Sequence, residues 1–272
     1  MSVTFSKAPL IELIAESRWT PQGSSSLGPT VPSQGVLSTI FLGGNKQEEF
    51  YTRVGSVLHK AGFNRSERLL PVGVPFMLHQ PVYRFRSESE DKRSVIYQVG
   101  FGIFSVHAVP PYHSWSKFRP FVKNGMDSLL QSRPEADAKQ SFGQASLRYI
   151  DFFGEQLTQG RDVQSFISDV FGISTRLPEA LTKSAASGGV KSLFTKVVLP
   201  TKIGDLTVSV GDGQFNNRPG IIADWMASSY NVTAGLDVIV DAFDSAHALI
   251  HDLFLELTWP IHDLMEPQEA EV

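Results

Sequence analysis

The sequence predicts an α+β fold, with a ferredoxin-like (split βαβ) N-terminal half and a second antiparallel sheet covered by a long C-terminal helix. The first 155 residues alternate strand and helix patterns in the order strand, helix, strand, strand, helix, strand, which is the order of the split βαβ unit. Further strand patterns follow. The last long segment, Leu236–Leu257, carries apolar residues at helical spacing on one side, and such a helix covers one face of a sheet.

The opening of the chain predicts a strand, a loop and a helix. Pro9–Trp19 alternates loosely between apolar and polar residues, as a half-buried strand does. Thr20–Gly35 is rich in Pro, Gly and Ser, which is typical of a loop. A helix begins at Asn45, a favourable N-cap with Glu48 in the first turn, and stops at Gly62.

A hairpin, a second helix and a strand complete the first half. Pro81–Ser87 and Ser94–Ala108 are β-rich runs separated by the charged residues 88–93, and a hairpin is the simplest interpretation. Ser114 precedes apolar residues spaced by three and four, so we expect it to cap an amphipathic helix. Ala145–Phe153 has the pattern of the last strand of this unit.

The second half predicts a short helix, three strands and the long helix. Val163–Phe171 has helical spacing, and Ser184–Gly189 is a Ser-, Ala- and Gly-rich loop. The strand patterns are Leu193–Leu199, Leu206–Val210 and Ile221–Ser228. We expect turns at Gly211-Asp212-Gly213 and at Arg218-Pro219-Gly220.

We divide the chain into a ferredoxin-like region, 1–155, and a region of antiparallel strands with the long helix, 156–272. The apolar face of the long helix is too wide to be covered by the short strands that precede it alone. We therefore expect the two regions to form one continuous structural unit.

Composition excludes several classes of function. The chain has 24 Lys and Arg against 28 Asp and Glu, a net charge of −4, so no overall positive field favours nucleic acid or anionic lipid. It has no cysteine, which excludes disulfides, thiolate zinc sites, iron–sulfur clusters and cysteine nucleophiles. Charged residues and histidines interrupt the apolar segments, and the first residues lack a signal-peptide core. We therefore expect a cytoplasmic protein that does not enter a membrane.

Catalytic and metal-binding motifs give no positive signal. Gly100 and Gly102 begin a phosphate-loop pattern that no third glycine completes, and the nucleophile elbow and the Walker lysine are missing. His247 and His251 stand four apart on a helix, as metal ligands can, but no glutamate lies between them and an open zinc site needs three protein ligands. We expect no metal, no cofactor and no catalytic residue.

Six residues are candidates for a binding site: Arg148, Tyr149, Asp151, Tyr112, Trp115 and His247. Strand alternation puts Arg148 on one face and Tyr149 and Asp151 on the other. Two interpretations stay open for this strand: a structural ion pair with a tyrosine hydrogen bond, or a recognition surface for a partner or ligand. For Trp115, at the start of a helix, a core anchor is favoured over a binding platform.

Several local patterns span nearly the whole chain and occur in a defined order. They are Ala8-Pro9-Leu10-Ile11-Glu12, Tyr112-His113-Ser114-Trp115-Ser116-Lys117-Phe118, Leu147-Arg148-Tyr149-Ile150-Asp151, and the helix residues His247, Ile250 and Phe254. Together they resemble a sporadically distributed, strain-variable family of uncharacterised prokaryotic proteins known mainly by a sequence profile. The chain departs from the family at Asp151, where Asn is usual, and at Ala248, where an acidic residue is usual. The resemblance implies no established reaction.

These observations favour a non-enzymatic accessory or interaction protein that binds a protein partner, in a defence or mobile-element module. Aromatic residues make up 11% of the chain and can serve as interface anchors. We expect the partner to be encoded nearby, and a homo-oligomer stays open. One alternative is a nucleic-acid-binding or nuclease-associated factor, which the net charge does not favour. Another is a hydrolase with a dispersed acid/base pair.

Overall fold

The chain forms thirteen strands and seven α-helices over the residues that the computed structural model describes, which are 3–22, 40–41, 45–111, 114–184 and 190–269. The strands are β1 Val3–Phe5, β2 Leu10–Arg18, β3 Ile40–Phe41, β4 Arg65–Arg68, β5 Phe76–Met77, β6 Pro81–Arg86, β7 Val95–Gly100, β8 Ile103–Ala108, β9 Phe142–Phe153, β10 Phe194–Thr201, β11 Gly204–Phe215, β12 Arg218–Val232 and β13 Pro267–Glu269. The helices are α1 Asn45–Lys60, α2 Trp115–Ser132, α3 Glu155–Thr158, α4 Val163–Phe171, α5 Glu179–Ser184, α6 Leu236–Thr258 and α7 His262–Met265.

Nine strands form one sheet in the order β10-β11-β12-β9-β2-β8-β7-β6-β4. The pairs β10–β11, β2–β8, β8–β7, β7–β6 and β6–β4 are antiparallel. Two small antiparallel pairs, β1–β13 and β3–β5, lie apart from this sheet. The structure therefore shows a mixed α+β fold with a large antiparallel sheet and a long C-terminal helix.

The split βαβ arrangement is not confirmed, because Ser94–Ala108 contains two strands instead of one. The chain reverses between β7 and β8 at Gly102, whose φ of +72° and close approach to the Trp19 carbonyl leave no room for a Cβ. As a result β8 runs antiparallel to β2, whereas a split βαβ unit joins parallel strands through its helices. The predicted second sheet is also not separate, since β10, β11 and β12 belong to the nine-stranded sheet.

Most of the predicted elements are confirmed. The hairpin is β6–β7, paired antiparallel across the charged residues 88–93. Helices α1, α4 and α6 follow their predicted ranges. The Ser114 hydroxyl caps α2 by accepting the Lys117 N–H at 3.4 Å. Most of Thr20–Gly35 and of Ser184–Gly189 lies outside the described residues.

The turn between β11 and β12 differs from the prediction. Gly211-Asp212-Gly213 and Arg218-Pro219-Gly220 lie inside the strands, and the chain reverses at Asn216 and Asn217. Both asparagines have positive φ, 50° and 60°. Asparagine tolerates this conformation because its short side chain bonds to the local backbone, so two residues without glycine make the turn.

The chain divides into two compact units, each built from separate segments. Unit 1 contains Met1–Glu12, Arg148–Ala227 and His247–Val272, and unit 2 contains Leu13–Leu147 and Ser228–Ala246. Each predicted region contributes segments to both units. The predicted boundary at residue 155 and the expectation of one continuous structural unit stay predictions.

Aromatic side chains form the core of unit 1. Phe171 makes edge-on contacts with Phe153, Phe166 and Trp225, with ring centroids 5.7, 5.8 and 5.7 Å apart. All four are buried, and each contributes about 2–3 kcal/mol through removal of its surface from water. Phe254 of α6 meets the other side of Trp225 at 6.5 Å. This packing places α6 over the face of the sheet that carries Trp225.

Unit 2 has its own core between helices and sheet. Tyr97 of β7 is 1% exposed, packs edge-on against Phe63 at 4.5 Å, and donates its hydroxyl to the Phe121 carbonyl of α2. Met126 and Leu129 of α2 are fully buried, as the predicted apolar face requires. Across the described part of the chain, no helix is long and apolar enough to cross a membrane.

Candidate functional site

The candidate residues of unit 1 lie on β9 and on α6. Arg148, Tyr149 and Asp151 follow one another along β9, and His247 lies on α6. Each of them has a specific polar partner in unit 1. Tyr112 lies outside the described residues.

Tyr149 and His247 form the closest polar pair of the candidate site. The Tyr149 hydroxyl and His247 Nδ1 are 2.7 Å apart, although 98 residues separate them in the chain. The two rings are nearly parallel, with 25° between their planes and 6.2 Å between their centroids. Both side chains are half-buried. A hydroxyl and an imidazole in this arrangement can exchange a proton, and the tautomer of the imidazole decides which of them donates.

His251 extends this pair by one helical turn. Its ring centroid lies 5.4 Å from that of His247, as the spacing of four residues predicts. Its Nδ1 is 3.7 Å from the Asp252 carboxylate. Within the described ranges, no group of three or more His, Asp or Glu side chains is arranged to hold a metal ion.

Asp151 lies in the core on the same face as Tyr149. It is 3% exposed, and its Oδ2 accepts a hydrogen bond from Trp225 Nε1 at 3.0 Å. Burial raises the pKa of Asp151 from an ordinary value of 3.8 to about 7, and the Asp224 carboxylate adds to the rise, while the Trp225 hydrogen bond opposes it. This carboxyl group therefore changes charge near neutral pH, inside the fold.

Arg148 points to the opposite face of β9, as strand alternation predicts. Its Nε donates to Asp224 Oδ1 at 2.7 Å and its Nη2 donates to Asp224 Oδ2, which makes a two-point ion pair between β9 and β12. The side chains are 42% and 25% exposed. The structure thus separates Arg148 from Tyr149 and Asp151 instead of bringing the three together, and one surface cannot present all of them.

Trp115 belongs to unit 2 and binds an aspartate there. Its Nε1 donates to Asp244 Oδ1 at 2.8 Å, and Arg119, one helical turn later, donates to both oxygens of the same carboxylate at 2.7–2.8 Å. Its ring also meets Phe118 edge-on, with centroids 6.0 Å apart. These contacts agree with a Trp115 that anchors α2 to the first part of α6.

The sequence analysis did not select the two aspartates that pair with the candidate residues, Asp224 with Arg148 in unit 1 and Asp244 with Trp115 in unit 2. Asp224 is an acidic residue in an otherwise apolar stretch of β12, and that position was a signal for a buried or paired charge. Arg119 lies four residues after Trp115 on a predicted helix, so the two side chains were expected to lie close enough to share a hydrogen-bond acceptor. The identity of the acceptor, Asp244, required the tertiary structure.

Comparison with known proteins adds no further information on this site. No protein-family model, no curated protein and no solved structure matches the chain. The family resemblance therefore stays a prediction, carried by the residues quoted for it.

Proposed function

We propose that this chain is a non-enzymatic accessory protein that binds a protein partner through the outer edge of strand β10. One observation carries the proposal. β10 is an eight-residue strand at the end of the nine-stranded sheet, and its Phe194, Val198 and Leu199 are 69%, 53% and 49% exposed. Edge strands with exposed apolar side chains readily pair with another strand, because their outer backbone groups are unpaired.

The strand at the other end of the sheet supports this proposal by contrast. β4 is short, and three of its four residues are charged: Arg65, Glu67 and Arg68. Short, charged edge strands discourage pairing with other chains. β10 has only Lys196 and Pro200 as protective residues. Proline lacks an N–H, so it limits strand addition to residues 194–199.

The register of the β10–β11 hairpin indicates what kind of segment fits this edge. Phe194, Lys196 and Val198 share one face. On the other face Leu199 pairs with Leu206, which is 4% exposed. An added strand with alternating apolar residues would extend both faces, and an acidic residue opposite Lys196 would pair with its ammonium group. The partner we propose is therefore a protein with an extended apolar segment that contains an acidic residue.

Affinity capture followed by a binding measurement tests the proposal. Val198→Lys places a charge on the edge, whereas Val238→Lys changes a residue of equal type and similar exposure, 49%, on helix α6. Proteins retained by the tagged wild-type chain are identified, purified and titrated against all three forms. We expect Val198→Lys to weaken binding by roughly tenfold or more, and Val238→Lys to bind as the wild type does.

Equal affinity of the three forms would contradict the use of β10, and retention of no protein by the wild type would contradict a partner-binding role. Melting temperatures of both variants near that of the wild type exclude misfolding as the cause of lost binding, since exposed charges contribute little to folding. The genes beside this one are the first source of candidate partners. Its place in a defence or mobile-element module stays a prediction.

A hydrolase is the second candidate, because Tyr149 and His247 form a proton-transfer pair at 2.7 Å. Chromogenic carboxylic and phosphoric esters are the substrates for its test. If the pair is catalytic, Tyr149→Phe abolishes turnover, and Tyr230→Phe, on the exposed end of β12, does not. Equal rates for the two variants, or no turnover by the wild type, would exclude this pair as a catalyst of ester hydrolysis.

A further inference from the structure

Trp259 is an exposed aromatic side chain in the 3₁₀ turn that follows helix α6. It is 74% exposed, whereas Thr258 before it and Ile261 after it are 0% and 1% exposed. The Thr258 hydroxyl donates to a carbonyl of α6 one turn earlier at 2.6 Å, and Pro260 restricts the backbone of the turn. The Trp259 ring also lies edge-on to the His262 ring, with centroids 5.2 Å apart. The buried residues on both sides therefore hold this indole in a fixed position in solvent.

Two exposed carboxylates flank the indole. Glu256 precedes Trp259 by three residues, and residues three apart are neighbours in both α-helices and 3₁₀ helices. Asp263 lies next to His262, and its charge acts on the His262 ring, which in turn contacts Trp259. Both carboxylates are exposed, and neither has an ion-pair partner among the residues that the structure describes. The surface thus combines an aromatic face with two unneutralised negative charges.

This segment has no Lys or Arg of its own. None occurs in the sequence after Arg218, and the last turn of α6 contains no basic residue, although the carbonyl end of a helix favours a cation. Burial lowers the pKa of His262 below its ordinary value of 6.5, so this imidazole is neutral at neutral pH. Asp252, one turn before Glu256, adds a like charge that destabilises the helix. A bound cation would relieve this repulsion.

We infer that Trp259 and its flanking carboxylates bind an arginine side chain of a protein partner. A guanidinium group stacks on an aromatic face through cation–π attraction, for which tryptophan is the best of the aromatic residues. Its fork of N–H groups matches a carboxylate such as that of Glu256. Lysine has the same charge but lacks the planar face and the two-point bond. This surface differs in chemistry from the β10 edge, which takes an apolar segment with an acidic residue.

A fluorescein-labelled tetra-arginine peptide measures this binding through fluorescence anisotropy, at low salt and neutral pH. The peptide has no apolar or acidic side chain, so it does not fit the β10 edge, and its binding is judged separately from that proposal. We expect tetra-arginine to bind more tightly than tetra-lysine, and about 1 M salt to weaken the binding because exposed charges are screened. No binding of tetra-arginine would overturn the site. Equal affinity for the two peptides would overturn the choice of arginine.

A matched pair of variants tests the role of the indole. Trp259→Leu keeps an apolar side chain but loses the aromatic face, so it should weaken the binding of tetra-arginine by roughly two- to fivefold. Tyr230→Leu removes an aromatic side chain that is 50% exposed on β12, and this control should bind the peptide as the wild type does. Equal affinities of the two variants would overturn the role of Trp259.

A second pair tests the carboxylates and keeps the inference testable if Trp259→Leu fails to fold. Glu256→Gln removes one charge at nearly unchanged shape, and should weaken binding by roughly two- to fivefold. Glu135→Gln removes an equal charge from an exposed position between α2 and β9, and should leave the affinity unchanged. Equal losses in these two variants would show that the peptide responds only to net charge, and would overturn the site.

Discussion

Replacement of Asp151 by asparagine should change how the stability of this protein depends on pH. The Asp151 pKa is about 7 in the folded chain against an ordinary value of 3.8, so the folded state holds a proton that the unfolded state releases. For an acid with a raised pKa, the folded state binds more protons than the unfolded state between these values. Burial of Asp151 therefore does not affect the free energy of unfolding below about pH 4. Between about pH 4 and pH 7 it lowers this free energy progressively, and above about pH 7 the destabilisation is complete.

The size of this effect follows from the shift. A displacement of roughly 3 pKa units corresponds to about 4 kcal/mol of unfolding free energy above pH 7. Asparagine has nearly the same shape, and its oxygen can accept the Trp225 N–H that Asp151 accepts at 3.0 Å. Its amide N–H groups enter the core, where an unpaired donor costs about 1–3 kcal/mol. We expect Asp151→Asn to stabilise the chain by about 1–3 kcal/mol at pH 8 and not at pH 5.

Urea unfolding followed by tryptophan fluorescence at pH 5, 6, 7 and 8 measures this difference. Asp162→Asn is the matched control. Asp162 caps α4 and has a pKa lowered by hydrogen bonds from the Ser165 backbone and side chain. The ionised Asp162 side chain contributes to stability above its ordinary pKa, and this contribution is lost only as the pH falls below about 4. Asp162→Asn should therefore change stability by the same amount at all four pH values.

The decisive quantity is the slope of the unfolding free energy against pH between pH 5 and pH 8, compared between Asp151→Asn and the wild type. A profile for Asp151→Asn that runs parallel to the wild type over this range would show that Asp151 is ionised throughout, and would contradict its raised pKa.

Three other perturbations test the contacts of the candidate site. Tyr149→Phe and His247→Gln should each lower the free energy of unfolding by about 1–2 kcal/mol, because each removes the hydrogen bond between the two side chains. The double variant should lose no more than the larger single change, since the bond can be lost only once. Additive losses in urea unfolding would contradict that bond. In a double-mutant cycle, Arg148→Gln and Asp224→Asn should show a coupling free energy of about 1 kcal/mol. This coupling should weaken at 1 M salt, because the ion pair is partly exposed and salt screens it. A coupling unchanged by salt would contradict a screened ion pair. Trp115→Phe should cost about 1–2 kcal/mol through loss of its N–H bond to a carboxylate, and a melting temperature equal to that of the wild type would contradict an anchoring role.

Local patterns were sufficient for most helices and strands. Helix α2 was predicted because a capping serine precedes apolar residues at helical spacing, and helix α6 because one of its faces is apolar over its full length. These signals depend on residues a few positions apart, and such residues are already near each other in the chain before it folds. The opposite orientations of Arg148 and Tyr149 followed in the same way from strand alternation.

The order of the strands could not be predicted in this way. The turn at Gly102 divides one apolar, β-branched run into β7 and β8, and no polar residue marks it. That single reversal makes β8 antiparallel to β2 and removes the split βαβ order. Gly102 is needed there because the Trp19 carbonyl approaches it closely, a contact between residues far apart in the chain.

The α+β class, the positions of the main elements, the lack of cysteine and the residue types of the candidate site could all be predicted from the amino-acid pattern. The partners of the polar groups could not: Tyr149 meets His247, and Arg148 meets Asp224, over separations of 98 and 76 residues. The raised pKa of Asp151 likewise arises from burial in the folded chain. Hydrogen bonding and desolvation act over a few ångströms in space, whereas periodicity reports only on neighbours along the chain.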